Sequence, residues 1–123
     1  MIRLFKSFAY ACRGLGKIFR EEQNLQFQSI VAIIIIALGL VFQIKPLEWC
    51  VILISIALVI LMETINSAIE RLVDMLKPRI HAYVKEIKDI MAATVMIAAL
   101  LAAAVGLIIF IPHFAILLHI CLF

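Results

Sequence analysis

Glu63, Asn66, Glu70 and Asp74 lie in the stretch LMETINSAIERLVD, residues 61–74, at spacings of three, four and four. On a helix those intervals stack all four side chains on one face. The positions between them, Ile65, Ala68, Ile69, Leu72 and Val73, are apolar. Carboxylates with an amide make an oxygen-rich set for a hard cation, and Mg²⁺ prefers one or two carboxylates completed by phosphate oxygens. Lys88, next to Asp89, supplies a point charge for a phosphate. A carboxylate in a partly dry site suits a general base for a hydroxyl. Phosphoryl transfer needs little beyond metal, positioning and a base. The chain has no GxxxxGK[ST] loop and no protein-kinase signature, so kinase chemistry here would be of neither common type.

Each of these residues also has a plainer reading. Asp74 pairs with Arg71 or Lys77 as a surface ion pair. Glu70 reaches water at an interface, and Asn66 makes an interhelical hydrogen bond. Lys88 and Asp89 open a helix, with Asp favoured by the helix dipole. Glu63 resists this treatment, because an acid inside a membrane segment points to function. From these residues alone, a catalytic site and a proton-relay or transport site stand level. A structural subunit with the stripe as helix glue is a third possibility.

The elements that carry the stripe are apolar. Of 123 residues, 67% are hydrophobic, against a usual share of roughly half. The excess sits in residues 27–44, 47–62 and 90–111, and the first and third blocks contain no charge. About 20 helical residues cross the hydrocarbon. The middle block reaches that length by continuing into the acidic stretch, whose polar stripe must then be shielded. A soluble bundle is excluded, because surface helices need a wide polar face and Ala92 to Phe110 offers only Thr94. The expectation is a single all-α integral membrane domain over 1–123, with spans at about 27–44, 47–76 and 88–111.

Residues 2–22 are expected to form an amphipathic surface helix. Ile2, Phe5, Phe8, Cys12, Leu15 and Phe19 recur at about three to four residues, and Arg3, Lys6, Arg13, Lys17 and Arg20 take the other faces. The start is not read as a cleaved signal peptide. Five Lys or Arg precede the first span and five more lie within 71–88. Charge bias therefore places the N-terminus and that second segment in the cytoplasm, and three spans place the C-terminus outside. Pro46 starts the second span and Trp49 sits at the interface. Residues 79–88 form a short connection with at most a turn or two of helix. Pro112 marks the exit of the third span, and 113–123 is an interfacial hook. Cys12, Cys50 and Cys121 have no metal-type spacing and read as small apolar fillers.

Topology then gathers Glu22, the acidic stripe and the Lys88–Asp89 pair at one leaflet. At 1.5 Å per residue, Glu63 lies roughly 10 Å deeper than Glu70, and Asp74 roughly 6 Å shallower.

The segment ETINSAIERLVD, followed fourteen residues after Asp74 by Lys88-Asp89, resembles the signature of the prokaryotic diacylglycerol kinase and undecaprenol kinase family. The pattern there is E-x-x-N-[ST]-A-I-E-x-x-[VI]-D, then A-K-D. The resemblance covers almost the whole chain, including length, three spans, the surface helix and the ACRGL turn. The FKSF start, the NxQF after Glu22 and the GLIIFIP ending are similar to the undecaprenol kinases of Gram-positive bacteria. The resemblance implies an ATP- and Mg²⁺-dependent lipid kinase of the bacterial cytoplasmic membrane. It implies Glu63 as general base, and Glu22 and Glu70 as carboxylates that hold Mg²⁺ on the ATP phosphates. Asn66 would position the γ-phosphate region, and Lys88 and Asp89 would contact the nucleotide, with Asp74 beside it. Arg3, Tyr10 and His81 fall where weaker nucleotide contacts lie. A homotrimer with active sites shared between subunits is implied, and nucleic acid is not an expected partner. Two positions depart from the pattern: Ile87 replaces the alanine before Lys88, and Gln28 stands where undecaprenol-kinase-like members carry histidine. Both bear on lipid preference.

Overall fold

The computed structural model describes residues 1–76 and 82–123, with the backbone alone of His81. These residues form four helices: α1 (Ile2–Glu21), α2 (Gln23–Phe42), α3 (Pro46–Leu76) and α4 (His81–Leu122). Three of them, α2, α3 and α4, are long and apolar enough to cross a membrane. The expected all-helical membrane architecture is therefore present. Lys77 and Pro78, expected to end the second span, lie outside the described residues, as do Arg79 and Ile80.

The chain folds back at two joints whose local chemistry is readable. At the first, Glu22 leaves the helical region, with φ −98° and ψ 110°. The Gln26 side-chain amide reaches back and donates to the carbonyls of Phe19 (2.8 Å) and Arg20 (3.1 Å). Those carbonyls end α1 and have no intrahelical partner, so the amide caps them. At the second joint, Gln43 takes a left-handed conformation, φ 52°. The Ile44 N–H donates to the Gly39 carbonyl at 3.2 Å, closing α2. The Lys45 N–H donates to Glu48 Oε1 at 3.2 Å, and Pro46 occupies the first turn of α3. A carboxylate three residues into a helix that reaches back to the preceding N–H is half of a capping box.

Near this second joint the three long helices share one apolar cluster. Ile44, Ile52, Ile109 and Phe110 are buried there, with Phe42 and Trp49 against them. The Phe42 ring meets Phe110 at 6.1 Å and Phe114 edge-on at 4.9 Å. Gly39 makes the close approach possible: a Cβ there would lie 2.8 Å from the Trp49 ring. The α3–α4 pair is the main contact of the fold, and α3 also packs on α2.

Several expectations change. The third span was placed at 88–111 with an exit at Pro112, but α4 runs unbroken from His81 to Leu122 with Pro112 inside it. Residues 81–88 are its first two turns, within the turn or two of helix expected there. Proline removes one hydrogen bond of the ladder. Here the His113 ring nitrogen Nδ1 contacts the Ile109 carbonyl at 2.8 Å, and Phe42 packs against both His113 and Phe114. The segment after Pro112 is apolar, and a helix is the form that satisfies its backbone internally. The tail is thus a helical extension of α4. The three cysteines are exposed rather than filling gaps inside the chain.

A candidate active site at the first joint

The acidic stripe faces inward at the end of the bundle where α1 meets α2. Glu63 is only 2% exposed, and Asn66 is buried with it. Glu70 is half-buried and Asp74 is exposed. The four residues therefore grade from closed to open along α3, as their depth along the helix predicts.

What faces Glu63 is α2. The Gln28 side-chain amide donates to Glu63 Oε2 over a long 3.5 Å. The Asn24 side chain, one turn before Gln28, also faces Glu63. Glu22 and Glu70 lie close enough to act on it electrostatically. The two carboxylates assigned to a metal and the carboxylate assigned as base thus share one region of a single chain. Beside Glu63, Gln28 Oε1, Asn66 Oδ1 and Ser67 Oγ are buried and find no protein partner among the described residues. Unpaired buried oxygens are costly in a native structure and ask for an explanation.

Two cations flank the stripe. Lys88 donates to Asp74 Oδ1 at 2.6 Å, and it also feels the charge of Glu70. This pairing brings the start of α4 onto the open end of the stripe. Arg71 does not pair with Asp74, as the surface reading had it. Its Nη2 instead donates across to the first joint, 2.6 Å from Glu21 Oε2 and 3.5 Å from Glu22 Oε1. Tertiary geometry decides this, because Arg71 and Asp74 sit three apart while both find shorter partners on other helices.

Not every expected residue joins the group. Asp89 is exposed, and no ion pair or hydrogen bond ties it to the other described residues of the site. Arg3 and Tyr10 are exposed on α1, with the Arg13 guanidinium 5.8 Å from the Tyr10 ring centre. Along a helix, Tyr10 lies roughly 18 Å and Arg3 roughly 28 Å from Glu22. The His81 side chain lies outside the described residues. Among the described residues, no three His, Cys, Asp or Glu side chains are close enough to hold a metal by themselves.

Sequence reasoning assigned no site role to Asn24, Glu21 or Ser67; it marked Gln28 only as a departure bearing on lipid preference and Arg71 only as a surface partner of Asp74. A signal existed for two of them. Asn24 and Gln28 are four residues apart and so stack on α2, a second polar stripe facing the first. For Arg71 and Glu21 no spacing rule could have helped, since fifty residues separate them.

Gln28 also borders an open apolar cavity of about 500 Å³ between α2, α3 and α4. Its walls are Phe27, Val31, Ala32 and Ile35 of α2, Ile52, Ile56, Val59 and Ile60 of α3, and Ala99, Ala102, Ala103 and Phe110 of α4. A polar site and an apolar channel thus meet at one side chain.

The sequence profile of the prokaryotic diacylglycerol kinases matches residues 9–110. The chain belongs to that family. It is 34% identical over 110 residues to the undecaprenol kinase of Bacillus subtilis, covering 89% of each chain. It is 25% identical over 112 residues to the diacylglycerol kinase of Escherichia coli K12, covering 91% of this chain and 92% of that one. To the diacylglycerol kinase of Helicobacter pylori 26695 it is 33% identical over 95 residues, 77% and 74% of the two chains. Family membership makes this protein an enzyme, a lipid kinase, carried on a multi-pass membrane fold. It also disfavours the transport reading of Glu63.

Proposed function

We propose that the protein transfers the γ-phosphoryl group of ATP, with Mg²⁺, to the hydroxyl of a membrane lipid, either undecaprenol or a diacylglycerol. The observation that carries this reading is Glu63: a carboxylate closed from solvent, faced by Gln28 and Asn24, at the meeting point of an apolar cavity and an acidic cluster. The cavity suits a hydrocarbon chain, and its polar border suits a hydroxyl. The B. subtilis relative favours undecaprenol as the acceptor.

In this scheme Glu63 is the general base and accepts the proton of the lipid hydroxyl as its oxygen attacks the γ-phosphorus; the bond from that phosphorus to the β,γ-bridging oxygen breaks, and the products are the lipid phosphate and ADP. The amide donors on α2 aim its carboxylate. Asn66, with its buried and unpartnered oxygen, positions the phosphate region. Glu22 and Glu70 would hold Mg²⁺. The fit is chemical: two carboxylates in one region are too few to cage the ion, and Mg²⁺ bound to ATP takes its remaining ligands from phosphate and water. Such an ion neutralises charge developing on the transferred group. Lys88, kept in place by Asp74, meets phosphate oxygens at the open end of the stripe, with Asp89 near the nucleotide. Arg3, Tyr10 and His81 contribute further nucleotide contacts.

We further propose that the chain works as a homotrimer whose sites combine neighbouring subunits. The position of Arg3 and Tyr10, exposed and far along α1 from Glu22, supports this, since both are then available to a neighbouring subunit. α1 then lies on the membrane surface, with basic residues toward water and headgroups. Lys and Arg bias puts the N-terminus in the cytoplasm and the C-terminus outside a bacterial cell membrane. The deciding experiment offers labelled ATP with undecaprenol and with diacylglycerol to the purified protein. Label in either lipid supports the proposal and names the acceptor. Label in neither, in a preparation that binds ATP, refutes it.

A further inference from the structure

We infer that Arg71 is a polyphosphate-binding residue of this site, oriented for that task by Glu21. The inference rests on the kinase reading above and extends it. Arg71 follows the metal-assigned Glu70 directly on α3 and reaches the joint that carries Glu22. Its guanidinium thus lies beside Glu22, one of the two carboxylates proposed to hold the cation of a nucleotide, and its backbone position adjoins the other, Glu70. A phosphate chain bridged to that cation must pass beside it. Among the described residues, only Nη2 is engaged, with Glu21 at 2.6 Å and Glu22 at 3.5 Å. The N–H groups on Nε and Nη1 remain for a second acceptor, and the side chain is 42% exposed. A guanidinium fork matches phosphate oxygens in geometry and keeps its charge.

The unequal distances assign the two acids different work. Glu21 makes the short bond and fixes the guanidinium. Glu22 makes the long one and turns to the metal with little loss, while Arg71 stays anchored. Arg71 and Lys88 then hold the phosphates from two sides of the acidic stripe. Glu21 is a positioning residue that acts through Arg71.

The test compares wild type with Arg71→Ala, Arg71→Lys and Glu21→Gln. Two quantities are read: equilibrium binding of a non-hydrolysable ATP analogue with Mg²⁺, and the separate KM values for ATP and lipid. Arg71→Ala is expected to weaken analogue binding and raise the ATP KM on the order of tenfold, with the lipid KM unchanged. Arg71→Lys keeps the charge without the fork and recovers part of the affinity. Glu21→Gln gives a smaller loss, and none beyond that of Arg71→Ala when the two are combined. Wild-type analogue affinity in Arg71→Ala or Arg71→Lys, with only thermal stability lowered, makes the pair a strap between α1 and α3 and overturns the inference alone. Wild-type protein that binds no nucleotide overturns the inference together with the kinase reading.

Discussion

Glu63 sits in the middle of a helix whose flanking residues are apolar, yet it is shielded by amides rather than by a cation. Gln28 and Asn24 face it without neutralising it. An ion pair with Lys or Arg would fix the carboxylate but weaken it as a base; neutral donors orient it and leave it able to take a proton. Glu63→Gln is therefore expected to lower phosphoryl transfer by about 10²–10⁴-fold, with the fold and ATP binding kept. A single-turnover assay with labelled ATP checks this, and near-wild-type turnover would remove Glu63 as the base. Glu22 and Glu70 carry a different expectation. Glu22→Ala and Glu70→Ala should each shift the Mg²⁺ titration of activity to higher concentration, because each leaves a single protein carboxylate on the ion. Two unchanged titration curves would sink the ligand assignment.

At the scale of elements, the joints matter more than the spans. The α1–α2 joint is closed by Gln26 and by Arg71, and it is the same point that presents Glu22. The α2–α3 joint is closed by the Glu48 cap and by the Trp49 ring lying on Gly39. Inside a bilayer, helices gain little hydrophobic energy by meeting one another, so close van der Waals fit decides their packing. Gly39→Ala places a methyl 2.8 Å from the Trp49 ring, which must then move. The expected cost is about 1–3 kcal/mol, seen as a lower Tm in detergent. Trp49 is the sole tryptophan of the chain, so its emission reports the change locally. An unaltered Tm and spectrum would show that the ring is not seated there.

At the scale of the whole molecule, the residues of the proposed site do not all meet within one chain. The acids gather, but Arg3 and Tyr10 lie far along a helix with no buried residue. Cyclic assembly would let each α1 serve a neighbour. Mixing tests this. Chains carrying Glu63→Gln and chains carrying both Arg3→Ala and Tyr10→Ala are each expected to be impaired. Combined in equal amounts and allowed to exchange subunits, they should regain activity, since about a quarter of the sites pair an intact α3 with an intact neighbouring α1. Activity no greater than the average of the two parents would mean that each chain builds its site alone.

The amino-acid sequence by itself determined the three apolar helices, the stripe from Glu63 to Asp74 and the end of the bundle where it lies. Those features follow from run length and from the 3.6-residue period, both local properties of a chain. It also carried the family, because twelve residues of α3 repeat a specific pattern. What only the tertiary structure decided was partnership between distant segments. Lys88 rather than Arg71 takes Asp74, Arg71 crosses to Glu21, and Gln28 and Asn24 close on Glu63. No periodicity encodes which helix face meets which. The same holds for Pro112: its local rule predicts a break, yet one helix continues through it, with Phe42 of α2 packed against the His113 ring that follows. Breaks and pairings are settled by packing, and packing is a property of the folded chain.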